Sequence, residues 1–201
     1  VLADTDVLWL LCDANRAPVV LQTLERYRFS EEVALTNHER RHAVLAVQGP
    51  RTFEVLSPLA DVRDTLRVPG DHLIGSLFDV RLRIIRHTLT GEAGVLCLCP
   101  AEQAGRVWTQ LARQEGVTLV GWEALNTARI EAGIPWYGID MDESSLLPET
   151  GLEGQFASDA KGCYVGQEIV ARMQTYGSAS RKLVGLLFDG DQVPSPGDTL
   201  E

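Results

Sequence analysis

The sequence predicts an α+β fold, on three observations. Short runs alternate apolar and polar residues, longer runs place apolar residues three and four apart, and the turn TGEAG, Thr90 to Gly94, stands between two of the alternating runs. Hydrophobic residues make up 45% of the 201-residue chain, enough for a sizeable core.

Taken in order, Val7 to Cys12 reads as a strand. Ala17 to Arg28 reads as a helix with Val20, Leu21, Leu24 and Tyr27 on one side, and Asn15 is placed to cap it. Val33 to Thr36 and Ala43 to Val47 are expected as short strands. The second ends in QGP, Gln48 to Pro50, which breaks the strand and opens a helix through Phe53, Val55 and Leu56. Val80 to His87 alternates as a strand, and after the TGEAG turn comes Val95 to Cys99. Ala101 to Gln114 has helical spacing with Val107, Trp108 and Leu111 facing inward, and Val117 to Val120 reads as a strand.

The next helix, Trp122 to Ala132, places Leu125, Ala128 and either Arg129 or Ala132 on one side, and Gly133 with Pro135 stops it. Gly138 to Ala160 shows no period; a connection of that length inside a compact domain is functional or mobile rather than filler. Gln167 to Met173 reads as a short helix and Arg181 to Phe188 as a strand. The domain expectation is therefore an α+β core over residues 1–180 and the start of a C-terminal β domain over 181–201, with the tail from Gly190 the nearest thing to a linker. A start at Val1 without methionine and an end that approaches another strand are expected of a stretch of a longer protein.

The formal charge of -10 disfavours direct binding to a phosphate backbone, and no apolar run approaches a membrane span. The expected setting is cytoplasmic. Cys12, Cys97, Cys99 and Cys163 lack paired metal-ligand spacing, and His38, His42, His72 and His87 show none either. The first three cysteines sit in apolar runs, and Cys97 and Cys99 share one strand face as packing residues.

Cys163 is different, because KGCYVGQE, Lys161 to Glu168, holds it between glycines in a polar setting. Thiolate is the nucleophile and the metal ligand, and its formation is favoured by a nearby cation or a helix N-terminus. Lys161 and the helix from Gln167 offer both, with Gly162 and Gly166 allowing the backbone to bend. The alternative is a turn in which Cys163 packs under Tyr164. A lone cysteine offers one ligand, so this chain by itself cannot hold an iron-sulfur cluster through the usual four thiolates.

Three segments resemble one superfamily. TGEAG and ALNTARIEAGIPWYGIDMDESSLLPE, Ala124 to Glu149, are similar to the tetrahydrofolate-binding core of the glycine-cleavage T-protein, the aminomethyltransferase. KGCYVGQE resembles the YgfZ branch, folate-binding proteins that support iron-sulfur cluster assembly or repair and, through it, tRNA modification. LAVQGP, Leu45 to Pro50, is similar to both.

The resemblance implies a T-protein-like fold binding tetrahydrofolate in a cleft between the TGEAG turn and the Trp122 helix. Glu92 would hold the pterin edge, Arg129 would sit at the pocket, and Tyr137 would add an aromatic wall. Gln167, standing where T-proteins place an arginine, joins this folate-binding set. Cys163 would be the reactive thiol, with Lys161 beside it or binding a folate carboxylate. Without the resemblance, Glu92 reads as a solvated turn residue and Arg129 as a surface charge. The implied role is an accessory factor whose partners are iron-sulfur proteins or cluster-assembly factors, and a non-enzymatic role is favoured. The rivals are an aminomethyltransferase that transfers a methylene group to tetrahydrofolate, and a plain folate-binding module with an inert Cys163.

Overall fold

The computed structural model describes residues 1–57, 62–158, 160–176, 181–188, 195 and 197–199. The chain divides into two compact units, Val1–Ala132 and Gly133–Glu201.

The first unit is built on a four-stranded antiparallel sheet in the order β3-β6-β5-β4, with β3 His42–Gln48, β4 His72–Leu77, β5 Val80–Arg86 and β6 Gly94–Pro100. One row of side chains crosses all four strands through Leu45, Cys97, Ile84 and Leu73. Cys97, Cys99, Ile84, Leu82 and Val80 from this face are buried. They pack with Val55 and Leu56 at α2, Thr52–Val55, with Val62 and Leu66 at α3, Val62–Thr65, and with Val107 and Leu111 of α4, Ala104–Ala112. The alternation in β5 and β6 is what a sheet with one face on a core requires. Burial raises the Cys97 thiol to about 12, so this cysteine serves the core.

The opposite face carries the row Val44, Leu98, Arg83 and Ile74. A small hairpin of β1, Leu2–Ala3, and β2, Leu8–Trp9, holds the buried Arg83 there. Asp4 accepts from Arg83 Nη1 at 3.0 Å and Nη2 at 2.6 Å, and Trp9 lies against the guanidinium at 5.5 Å. A buried guanidinium needs such a bidentate partner, and the pair holds the Asp4 carboxyl at about 2.

Several expectations are corrected. Helix α1, Ala17–Tyr27, forms where the spacing places it, but a 3-10 turn, Ala14–Arg16, runs directly into it and Asn15 caps nothing. The expected strand over residues 7–12 is reduced to Leu8–Trp9, and Cys12 is exposed. Residues 33–36 and 117–120 form no strand. Among the described residues they join no strand ladder: Val33 N and Val117 N donate instead to Glu31 O and Gln114 O within their own turns, and Leu119 and Val120 are exposed. Trp108 is exposed as well, because the buried stripe of α4 runs through Val107 and Leu111 with Ala104 beside it, and Trp108 stands at the edge of that stripe, on the side away from Val107. Strand β4 has no counterpart in the sequence reading. It joins β5 through Phe78 and Asp79, whose φ of 54° and 58° make a primed hairpin turn without glycine.

In α5, Trp122–Glu131, the choice between Arg129 and Ala132 falls on Arg129, which is 2% exposed. Gly133 ends the helix where the sequence places the stop, and does so in the left-handed conformation, at φ 67°.

The second unit holds α6, Leu147–Thr150, α7, Glu153–Phe156, and α8, Gln167–Tyr176. Glu149 fastens it: one oxygen accepts from Leu146 N at 2.9 Å and the other from Arg181 Nε at 3.0 Å. The expected strand over residues 181–188 forms no ladder; Leu183 N instead donates to Glu149 O at 2.8 Å. Most of the tail from Gly190 lies outside the described residues.

Candidate functional site

The TGEAG turn is the link between β5 and β6, and its shape is enforced from β3. His87 N donates to Gly94 O at 3.1 Å across the base of the turn, and Gly49 N donates to Ala93 O at 2.8 Å. Gln48 is the cross-strand partner of Gly94. Its Nε2 donates to His87 O at 3.2 Å and lies 3.4 Å from Val95 O, and its Oε1 accepts from Leu89 N at 2.7 Å. Gly94 makes room for this amide, since any Cβ there would collide with it and with His87 O. The buried Thr52 hydroxyl shares its proton between Gly49 O at 2.8 Å and Ala93 O at 3.0 Å.

The tip of the turn meets the end of α5. Gly91 has φ 79°, and a Cβ on it would lie 2.8 Å from the Ala132 Cβ. Glycine is required here twice over, by its left-handed backbone and by the approach of the helix. The turn therefore touches the end of the helix that carries Arg129.

Beside the turn opens a cavity of about 170 Å³ lined by Pro69, Arg86, Thr88, Gly91 and Glu92 among others. Glu92 is exposed on its lip. Arg86 lies over the Phe53 ring at 4.8 Å, so its guanidinium is oriented by stacking. Thr90 Oγ1 is buried and meets no hydrogen-bond partner among the described residues. A carboxylate and a guanidinium around one opening suit a ring that carries both N–H donors and a carbonyl acceptor. The volume takes a single ring system rather than an entire drug-sized molecule.

Arg129 is not presented at this lip. It is buried, and its Nε donates to Asn126 Oδ1 at 2.9 Å.

The remaining candidates belong to the second unit. Tyr137 is 39% exposed, and its hydroxyl donates to Glu143 Oε2 at 3.2 Å. Its backbone bridges to Met141, and Trp136 N donates to Asp140 Oδ2 at 2.6 Å, which winds this segment into a tight loop. In KGCYVGQE, Cys163 is exposed, so the reading in which it packs under Tyr164 does not hold. The Lys161 ammonium sits 4.4 Å from the Tyr164 ring centroid, a cation-π contact that commits it locally. Gln167 Oε1 accepts from Tyr164 N at 3.2 Å, Gln167 N donates to Tyr164 O at 3.1 Å, and Gly166 turns at φ 85°. Lys161, Cys163 and Gln167 thus sit in one turn at the start of α8.

Residues 2–159 match the family model described as the GCVT N-terminal domain. The chain belongs to that family. This GCVT domain is 41% identical over 157 residues to the aminomethyltransferase of Deinococcus deserti, covering 78% of the chain and 42% of that protein. It is 34% identical over 173 residues to the aminomethyltransferase of Halalkalibacterium halodurans, covering 82% of the chain and 46% of the relative. The crystal structure of glycine cleavage system aminomethyltransferase T from Bartonella henselae matches with a TM-score of 0.58 at 26% identity, covering 70% of the chain and 37% of that structure. The chain spans about half the length of the curated relatives it matches.

The T-protein superfamily and the α+β class follow from these matches. They do not carry the narrower YgfZ assignment drawn from KGCYVGQE, because the relatives are named aminomethyltransferases. Among the described residues no group of three or more His, Cys, Asp or Glu could hold a metal ion, and no helix is long and apolar enough to cross a membrane.

Arg86, Gln48 and Thr52 are absent from the sequence-level site. Gln48 was visible within LAVQGP only as a strand breaker, and Arg86 only as an alternating strand residue.

Proposed function

We propose that this chain binds tetrahydrofolate at the TGEAG turn and handles one-carbon units as aminomethyltransferases do. The observation that carries the reading is the braced turn, pressed on the end of α5 through Gly91 and Ala132, with Glu92 exposed at a cavity that also offers Arg86. Glu92 would accept from the N–H edge of a pterin, and Arg86, on the same opening, would donate to the carbonyl of that ring. When bound, the folate supplies the nitrogen that accepts a methylene unit from an aminomethyl-lipoyl carrier, with ammonia released. This chain's residues bind and orient it. The family match and the names of the relatives support this reading over an accessory role.

The test is calorimetric titration of the full-length protein with tetrahydrofolate. Glu92→Gln should weaken binding by about tenfold, the worth of one charge-assisted hydrogen bond. Undiminished binding by this variant would remove Glu92 from the site, and no binding by the unaltered protein would remove the folate reading.

A second reading is favoured by one observation, the exposed Cys163 in its glycine-flanked turn. In that reading the protein is a YgfZ-type accessory of iron-sulfur proteins or cluster-assembly factors, and Cys163 supplies one thiolate that a partner complements. Methylene transfer that survives Cys163→Ser would favour the first reading. A folate-binding protein that transfers no methylene, and whose Cys163→Ser variant fails to restore cluster enzymes in cells lacking it, would favour the second.

A further inference from the structure

The side chain that reaches most of the folate-bearing turn is neither in the turn nor exposed at its cavity. Gln48 closes β3, 44 residues before Glu92 in the chain, and its amide grips three backbone groups on the two limbs of the turn: His87 O, Val95 O and Leu89 N. Thr52, one helical start later, holds Ala93 O from the other side. Between them they contact the residues immediately before and after Thr90–Glu92, leaving the tip with the Gly91 contact to Ala132. A carboxylate on a short glycine-rich loop spends most of its time in unproductive orientations unless the loop is fixed, and fixing it beforehand is what raises affinity.

We propose that Gln48, assisted by Thr52, is the positioning residue of the folate site: it presets the TGEAG turn so that Glu92 faces its ligand before the ligand arrives. This rests on the reading of the turn as a tetrahydrofolate site. Gln48 does not touch the ligand, and it acts through Glu92. Gly94 belongs to the same device, because the space of its missing side chain is the space the Gln48 amide occupies.

The experiment is a double-mutant cycle on the full-length protein, read by tetrahydrofolate affinity. Gln48→Met keeps the length of the side chain and removes its hydrogen bonds. Affinity should fall about tenfold, as the loss of roughly one net hydrogen bond's worth of preorganisation implies. In a Glu92→Gln background the same change should have little further effect, because there is no longer a carboxylate to aim. Thr52→Val removes the hydroxyl that holds Ala93 O and keeps the side chain's shape; it should lower affinity in the same background-dependent way, and it carries the test if the methionine variant does not fold.

Equal losses in both backgrounds would mean that Gln48 supports the fold in general, which overturns the proposal. An unchanged affinity in Gln48→Met overturns it as well and leaves the folate reading standing. Failure of the unaltered protein to bind tetrahydrofolate removes the folate reading itself, and the proposal with it.

Discussion

The contact between the TGEAG turn and the end of α5 can be tested by adding one methyl group. Gly91→Ala places a Cβ 2.8 Å from the Ala132 Cβ, well inside the usual carbon contact of about 3.5 to 4.0 Å, at a backbone φ of 79°. The left-handed backbone alone costs about 1–2 kcal/mol for alanine. Overpacking against Ala132 adds about 1–3 kcal/mol, so the total expected loss is about 2–5 kcal/mol. Gly133→Ala is the control: it has φ 67° but nothing within 4 Å of an added Cβ, so only the backbone cost of about 1–2 kcal/mol applies. The compensating change is Ala132→Gly, which removes the methyl that the new one strikes. Urea denaturation of the single variants and of the Gly91→Ala/Ala132→Gly pair should show the pair more stable than additivity allows by about 1–3 kcal/mol. Equal costs at Gly91 and Gly133, together with simple additivity in the pair, would show that turn and helix are not in contact, and the site as drawn here would come apart.

Three further outcomes are expected. Native alkylation read by mass should modify two thiols quickly, Cys12 and Cys163, with Cys97 and Cys99 reacting only in denaturant; rapid modification of a third would mean that β6 opens readily. Stability should fall as pH drops from about 4 toward 2. The Asp4 carboxyl, held at about 2 chiefly by Arg83, stabilises the fold above its ordinary range and loses that contribution as it protonates, as do Asp71 through the Val68 and Arg67 amides and Glu149 through Arg181. Asp4→Asn should flatten the lower part of that acid decline in a urea series, and an unchanged curve would refute the assignment to Asp4. Ile84→Ala, in the row that crosses the whole sheet, should cost about 2–5 kcal/mol by the same measurement, and a cost near zero would mean that the row is not packed.

Where the period is strong, the sequence is a good guide. Helices α1, α4, α5 and α8 and strands β3, β5 and β6 stand close to where apolar spacing places them. The strand failures have one cause. Residues 33–36 and 117–120 have strand-forming side chains but pair with no strand among the described residues, while His72–Leu77 contains Gly75 and no clear alternation yet pairs along its entire length with β5. A strand is a property of two segments, and only one of them is read at a time. The hairpin that brings β4 onto β5 is disguised further by Phe78, a bulky residue at φ 54° that is retained because it packs on the core.

The same distinction separates what was legible in the site from what was not. TGEAG announces a turn and a carboxylate, but the reason for each glycine lies elsewhere in the chain: Gly91 answers to Ala132, and Gly94 answers to Gln48. Arg129 reads as one more charge on a helix until the fold buries it to 2% exposure. Conversely, KGCYVGQE carries the most distinctive local signal in the chain, and its internal contacts are local too: Lys161 on Tyr164, Gln167 on the Tyr164 backbone, and Cys163 left outward. A self-contained turn that spends its neighbours on holding its own shape presents its thiol without assigning it a reaction. Cys163 is therefore exposed on a turn that holds its own shape, whereas Glu92 stands on a turn held from outside, through Gln48 on β3 and Thr52 on α2.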